Sequence, residues 1–113
     1  MKVNKFEIER GVTGVTVIVE VSTEVEVKFD IPVHRELVEG FNYDDKRKLK
    51  GEVSFIVLRF KTPALENLSQ AKRAAQEIKV ILDEVRRKEQ NGLEWLQVVE
   101  NYLRGEFEEL ITG

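Results

Sequence analysis

Several residue types are absent or scarce in this chain, and each shortage excludes a class of function. The 113 residues include no cysteine and one histidine, and no apolar run approaches the length of a membrane span. Without cysteine there is no disulfide, no cysteine-ligated zinc site and no thiol catalysis. The lone histidine, His34, is a weak signal of catalysis or metal ligation, and a surface or helix-capping role is expected for it.

Motifs for catalysis and phosphate binding are missing as well. Asp44 and Asp45 precede a run of cations, which indicates a solvated, self-neutralising loop rather than an acid–base pair. The serines lie in no nucleophile motif. Residues 11–14 contain two glycines, but no Lys-Ser or Lys-Thr pair follows and no helix is predicted to open there. We therefore expect no enzyme activity, no cofactor and no metal.

The residues that are present predict a folded, soluble, cytoplasmic domain. Hydrophobic residues make up 42% of the chain, enough for a core, and charged residues make up 35%, a bias typical of thermophile proteins. The net charge is -3, which argues against a protein that coats duplex nucleic acid. The charges are separated along the chain, however. Residues 46–61 carry six cations against one anion, whereas residues 94–109 carry five carboxylates against one cation.

The first third of the chain alternates as antiparallel strands do. In residues 3–10 the apolar side chains share one face, and a two-residue turn at Gly11-Val12 would pair Ile8 with Val15. Alternation then continues through residues 15–31. Seventeen extended residues would span about 55 Å, which is too long for one strand of a small domain. The run is therefore predicted to fold back through a three-residue loop near Ser22-Thr23-Glu24, giving two strands.

The rest of the chain predicts one more strand and three helices. A short helix is expected over residues 33–41 and a strand over 51–62, followed by a long amphipathic helix that stops at Asn91-Gly92 and a helix from 93 to 111. The predicted fold class is α+β: a small four-stranded antiparallel sheet in the order β-β-β-α-β, then the two helices. Residues 1–90 would form the core domain and residues 91–113 a C-terminal amphipathic helix.

The strand over residues 51–62 is the only one that is apolar on both faces. Since the other strands offer one apolar and one polar face, the helices suffice to cover only one side of the sheet. The uncovered side is predicted to carry Val53, Phe55, Val57, Arg59 and Lys61. That face lies either beneath the short helix or where a partner binds.

Basic and aromatic residues interleave in and before this strand. Aromatic rings stack on bases at about 1–3 kcal/mol each, and cations follow the backbone, so the combination is typical of proteins that bind single-stranded DNA or RNA. The competing interpretation places the rings in the core, the strand cations in ion pairs and the loop in solvent. The candidate nucleic-acid-binding residues are Tyr43, Lys46, Arg47, Lys48, Lys50, Phe55, Arg59 and Lys61.

The last helix has a wide apolar arc for a terminal element. Such an arc predicts burial against more than one neighbour, and a dimer or tetramer of the chain would supply one. The rival to nucleic-acid binding is therefore a protein–protein adaptor, or a small subunit of a larger complex, that acts through this helix. The candidate contact residues are Trp95, Leu96, Val99, Leu103, Phe107 and Leu110.

The predicted layout resembles that of the ThermoDBP-type single-stranded nucleic-acid-binding proteins of thermophilic archaea. The likeness rests on residues 3–31 and 51–62 as a sheet, a helix before the last strand, an amphipathic helical C-terminus and the thermophile-like composition. It covers the order of elements and no aligned motif. The resemblance implies a sheet-and-helix core with an apolar, basic-rimmed cleft, sequence-tolerant binding of single strands, and a C-terminal helical element that makes homo-oligomers.

Overall fold

The computed structural model describes residues 1–31, 39–41 and 51–112, and it shows an α+β fold. An antiparallel sheet comes first and a single long helix follows it. The elements in chain order are β1 (Lys2–Arg10), β2 (Val15–Ile31), β3 (Glu39–Phe41), β4 (Gly51–Lys61), α1 (Leu68–Glu106) and α2 (Glu108–Thr112).

The sheet consists of three long strands and a three-residue edge. Its order is β1-β2-β4-β3, and every neighbouring pair is antiparallel. The predicted division of residues 15–31 into two strands is wrong, because β2 is continuous over that range. The part of the chain that the structure describes therefore contains no separate third strand of similar length. Residues 39–41, predicted as the end of a helix, are extended and pair with β4.

The β1–β2 connection is two residues longer than predicted. Ile8 pairs with Val17 rather than Val15, and the loop is closed by a hydrogen bond from Gly11 N–H to the Gly14 carbonyl at 2.8 Å. A slip of two residues leaves every side chain on its predicted face, since the strand period is two. Gly14 is required here, because a Cβ would lie 2.5 Å from the Leu65 carbonyl oxygen.

The extra residues that were predicted to form a turn in β2 form a bulge instead. Ser22 pairs with Val57 and Val27 pairs with Phe55, so β2 advances five residues where β4 advances two. Inside the bulge the Thr23 hydroxyl donates to the Val25 carbonyl at 2.6 Å. A bulge bends and twists a strand without ending it, which lets one 17-residue strand curve across a small domain.

The buried face of β4 changes phase opposite this bulge. Phe55 is buried before it, Leu58 and Phe60 are buried after it, and Ile56 between them is exposed. All three buried side chains join the core with Ile81 and Val85 of α1. The predicted outer face from Val53 to Lys61 is therefore wrong at Val53 and Phe55, which pack with the core. Phe55 lies on the helix-covered side, whereas Arg59, which alternates with Leu58 and Phe60, lies on the other.

Helix α1 begins at a capped terminus. Asn67 is the N-cap, and its side chain accepts from Gln70 N–H at 2.9 Å while the Gln70 side chain accepts from Glu66 N–H at 2.8 Å. The residues between β4 and this cap continue alongside β2, where Leu65 and Val15 exchange two backbone hydrogen bonds. The cap fixes where α1 starts, three residues later than its apolar periodicity suggests.

The helix continues through the predicted stop. Asn91 and Gly92 lie inside α1, which ends at Glu106, so the predicted break is wrong and the real one falls at Phe107. Glycine at 92 lets the helix approach β2, since a Cβ there would lie 3.1 Å from Val25 Cγ2. The first part of α1 packs on the sheet and the remainder extends beyond it. The molecule accordingly measures 68 × 25 × 23 Å, with a Cα radius of gyration of 18.4 Å. A compact chain of this length would have about 13 Å.

Candidate interaction surfaces

Two predicted nucleic-acid contacts share the outer face of the sheet, on the side opposite α1. Arg59 and Lys61 are two residues apart on β4 and therefore point the same way. Arg59 pairs across the sheet with Glu20, and Glu20 pairs with Lys5. This outer face therefore alternates in sign within the described strands. Five predicted contacts lie outside the described residues: Tyr43, Lys46, Arg47, Lys48 and Lys50.

Phe55, the predicted base-stacking ring, lies elsewhere. It is 8% exposed and belongs to the core cluster. The described part of the molecule therefore does not bring Phe55 together with Arg59 and Lys61. Stacking on this strand face would need another ring.

A large apolar groove lies on the helix side of the sheet, between β1 and the first half of α1. Its volume is about 710 Å³. Phe6 and Ile8 of β1 form one wall and are 59% and 65% exposed. The other wall is the flank of α1, where small side chains leave room. The apolar residues of α1 that line this β1 groove are Leu68, Ala71, Ala74, Ala75, Ile78 and Leu82.

The groove exists because α1 is placed off-centre on the sheet. The buried residues of the helix, Ala74, Ile81 and Val85, point at β2 and β4, where the core cluster lies. The apolar side chains of β1 share that face of the sheet, since Phe6 pairs with Val19 and Ile8 with Val17. Within residues 1–31, 39–41 and 51–112, one helix covers two strands and leaves β1 open. Another helix-sized element would complete the layer.

The second half of α1 exposes a further apolar surface. We define the C-terminal arm as residues 93–112. No side chain of residues 93–110 is buried, and Trp95 and Leu110 are 65% and 80% exposed. Of the six predicted contact residues, Leu96, Val99, Leu103 and Phe107 line one shallow groove, and Leu110 extends the same seam by one turn. Trp95 lies beside the seam with Val98 and Tyr102.

A buried carboxylate marks the point where the helix leaves the sheet. Glu89 is 5% exposed and forms an ion pair with the amino group of Met1. Its other oxygen accepts from the N–H of Glu24, in the β2 bulge, at 2.8 Å. The preceding residue, Lys88, donates to the Lys28 carbonyl at 3.0 Å. Since β1 pairs with β2 only up to Ser22, these two helix side chains satisfy backbone groups where β2 has lost that neighbour.

The surroundings of Glu89 favour its charged form. Burial alone would raise the pKa of its carboxyl group. The hydrogen bond from the Met1 amino group, the N–H of Glu24 and the charge of that amino group act the other way, and together they lower the pKa below its usual value. Every polar atom of the site is used within the structure, so Glu89 is assigned to stability rather than to ligand binding.

Two other kinds of site are absent from the described residues. No three histidine, cysteine, aspartate or glutamate side chains there come together as metal ligands. Neither described helix is long and apolar enough to cross a membrane. His34 lies outside the residues that the structure describes.

Comparison of the chain with models of protein families, with curated proteins and with solved structures gives no match in any of the three. The assignment of function therefore rests on the surfaces themselves. Sequence reasoning identified the arm but missed the β1 groove. The available signal was the run of alanines at 71, 74 and 75 beside the bulkier seam of α1, which indicates a helix flank able to receive another element closely.

Proposed function

We propose that this protein is a non-enzymatic protein–protein interaction module that assembles as a homo-oligomer through the C-terminal arm. The observation that carries this proposal is an exposed apolar seam on the part of the chain that extends beyond its own sheet. The exposed fraction of its side chains lies between 47% and 80% for Leu96, Leu103, Phe107 and Leu110. Scattered apolar side chains on a surface are ordinary, whereas a continuous seam at three- and four-residue spacing is typical of a helix interface.

The energetics of the exposed arm support the same function. Packing of an apolar face rather than propensity supplies most helical stability in proteins. The arm receives little packing from the described remainder of its own chain. Burying one leucine or phenylalanine side chain fully is worth about 1.5–3 kcal/mol. A partner that covers four such residues would offset the cost of association and would also stabilise the arm.

Light scattering on two matched variants tests the proposal. Leu103→Glu places a charge in the seam, whereas Gln97→Glu places the same charge on the arm outside it. We expect the unaltered protein and Gln97→Glu to be oligomers, and Leu103→Glu to dissociate with at least a tenfold rise in Kd, because a buried unpaired charge is strongly unfavourable. A strictly monomeric unaltered protein at high concentration would contradict the proposal.

Single-stranded nucleic-acid binding is the second candidate. The observation in its favour is that Arg59 and Lys61 lie side by side on the sheet face opposite α1, where a strand of nucleic acid has access without displacing the core. An oligomer would present this pair more than once. Affinity would come from phosphate contacts, since Phe55 lies in the core.

A further inference from the structure

We propose that the partner of the C-terminal arm is a second copy of this chain, and that the arm seats in that copy's β1 groove with the two α1 helices antiparallel. The inference rests on the proposed function and adds the acceptor surface and the orientation. Each copy would place its arm in the β1 groove of the other copy. The arm of the second copy would then lie beside α1 on the sheet and cover Phe6 and Ile8.

The lengths of the two surfaces match. The groove follows α1 from Leu68 to Leu82, and the arm seam runs from Leu96 to Leu110. The groove stretch is 15 residues long, about 21 Å at 1.5 Å per residue, and residues 96–106 of the arm span about 15 Å before α2 continues the seam beyond Phe107. A helix of the arm's length therefore fills the groove without overhanging it.

The side-chain sizes match when the helices run in opposite directions. A two-fold axis near Glu89 places Phe107 opposite Ala71, Leu103 opposite Ala75 and Leu96 opposite Leu82. The largest seam residue then meets the smallest groove residue. The groove residues 71, 75, 78 and 82 recur at steps of four, three and four, and the seam residues 96, 99, 103 and 107 recur at steps of three, four and four, so both have the spacing of one helix face.

The charges also select the antiparallel orientation. Residues 68–82 carry three cations and one carboxylate, whereas residues 96–110 carry four carboxylates and one cation. Antiparallel packing sets the acidic stretch of each helix along the basic stretch of the other, and brings Glu100 close to Lys79, which lines the groove. Parallel packing of arm on arm would bring the two acidic stretches together, which is unfavourable.

The proposed interface has closed two-fold symmetry. Because the same two surfaces meet twice around one axis, the interface is isologous and stops at two copies. Both the arm seam and the β1 groove of each copy are covered in this arrangement. We therefore expect a dimer rather than a filament.

Disulfide trapping tests the arrangement on a chain that has no cysteine of its own. Ala75→Cys and Leu103→Cys are combined in one protein, and oxidised glutathione is added. Within one chain these positions are about 42 Å apart along the helix, so any disulfide must join two copies. Lys79→Cys with Glu100→Cys is a second pair that leaves the apolar seam intact. Each single variant is the control.

We expect both double variants to form covalent dimers, linked 75 to 103 or 79 to 100 in peptide mass spectra, and the single variants to remain uncrosslinked. Disulfide formation by Leu103→Cys alone would show arm packed on arm and would overturn the antiparallel arrangement while preserving the proposed function. Dimers by light scattering that no pair traps would overturn it in the same way. Monomers throughout would overturn both.

Discussion

The two halves of α1 share one helix and similar apolar spacing, but they differ in what their apolar side chains contact. Residues 68–92 place Ala74, Ile81 and Val85 against the sheet, where none is more than 2% exposed. Residues 93–110 repeat the spacing with larger side chains, and none of these is buried. Hydrophobic periodicity therefore predicts that a helix has a face to bury. It does not predict whether the chain itself provides the cover.

Glu89 and Gly92 lie where the two halves meet. The carboxylate fastens the helix to the β2 bulge, and the glycine allows the close approach to Val25. Beyond them, no side chain of residues 93–106 is buried. The packed part of the helix thus ends near the buried ion pair of Glu89 and near Gly92, which has no side chain to hold the helix away from β2.

Hydrogen exchange should separate the halves most strongly. In dilute protein, where the monomer dominates, we expect arm amides to exchange about a thousandfold faster than those of residues 74–89, a difference of about 4 kcal/mol in opening free energy, because only the packed half must break the core to open. Raising the concentration should slow exchange in the arm. Equal protection of both halves in monomeric protein would contradict the claim that only the first half of α1 is packed.

A core truncation should cost more than any truncation on the arm. Leu58→Ala removes a fully buried side chain beneath α1 and should lower the free energy of unfolding by about 2–5 kcal/mol in urea denaturation. Val98→Ala removes an exposed side chain of the arm and should change it by less than about 0.5 kcal/mol. Similar losses in the two variants would mean that the arm is packed within the monomer.

The contact at the junction should be intermediate in strength and dependent on pH. Glu89→Gln keeps the shape but loses the charge, and should lower the unfolding free energy at pH 7 by about 1–3 kcal/mol. Since folding lowers the pKa of Glu89, its charged form stabilises the folded state above the unfolded value near 4.5, and this contribution is lost as pH falls through the folded pKa.

Urea denaturation of Glu89→Gln and the unaltered protein between pH 3 and pH 7 measures this effect. The difference between them should shrink as pH falls below about 4.5. Glu9→Gln, a neutralisation at the exposed end of β1, serves as the control and should leave stability within about 0.5 kcal/mol. A constant difference at all pH values would show that the charge of Glu89 does not contribute.

The smallest effect on folding is expected on the outer sheet face. Arg59→Ala with Lys61→Ala should leave helix content unchanged and reduce the binding of a labelled single-stranded oligonucleotide at low salt. Removing two phosphate contacts should lower the slope of log K against log salt by about 1.4. Arg86→Ala with Arg87→Ala removes equal charge from α1 as a control. Binding that neither pair affects, or no binding at all, would exclude this surface.

Much of the fold was predictable because strand alternation and helix periodicity are local. The antiparallel pairing of the first two strands, though not its register, and an amphipathic helix after β4 follow from spacing alone. The prediction that residues 15–31 form two strands is wrong because a segment too long for a straight strand can either fold back at a turn or bend at a bulge. Ser22-Thr23-Glu24 lacks the glycine or asparagine that such turns prefer, and this absence favours a bulge over a turn.

The errors at the candidate site have a different cause. Phe55 was grouped with Arg59 because odd positions share a face in a regular strand, and the phase change opposite the bulge cannot be seen in β4 itself. The sequence predicts a helix stop at Gly92, whereas the close approach to Val25 favours glycine at this position within the helix. The β1 groove depends on where α1 lies across the sheet, which no single segment specifies.

The distribution of charge along α1 affects how two molecules meet before they touch. Cations in the first half and carboxylates in the second have the same polarity as the helix macrodipole, so side chains and backbone add to give one elongated electric dipole. Two such dipoles attract when they lie side by side in opposite directions. At low ionic strength the field reaches about 30 Å, half the length of the helix, so colliding molecules would be turned into antiparallel alignment. Added salt would then lower the association rate constant by a larger factor than it would raise the dissociation rate constant.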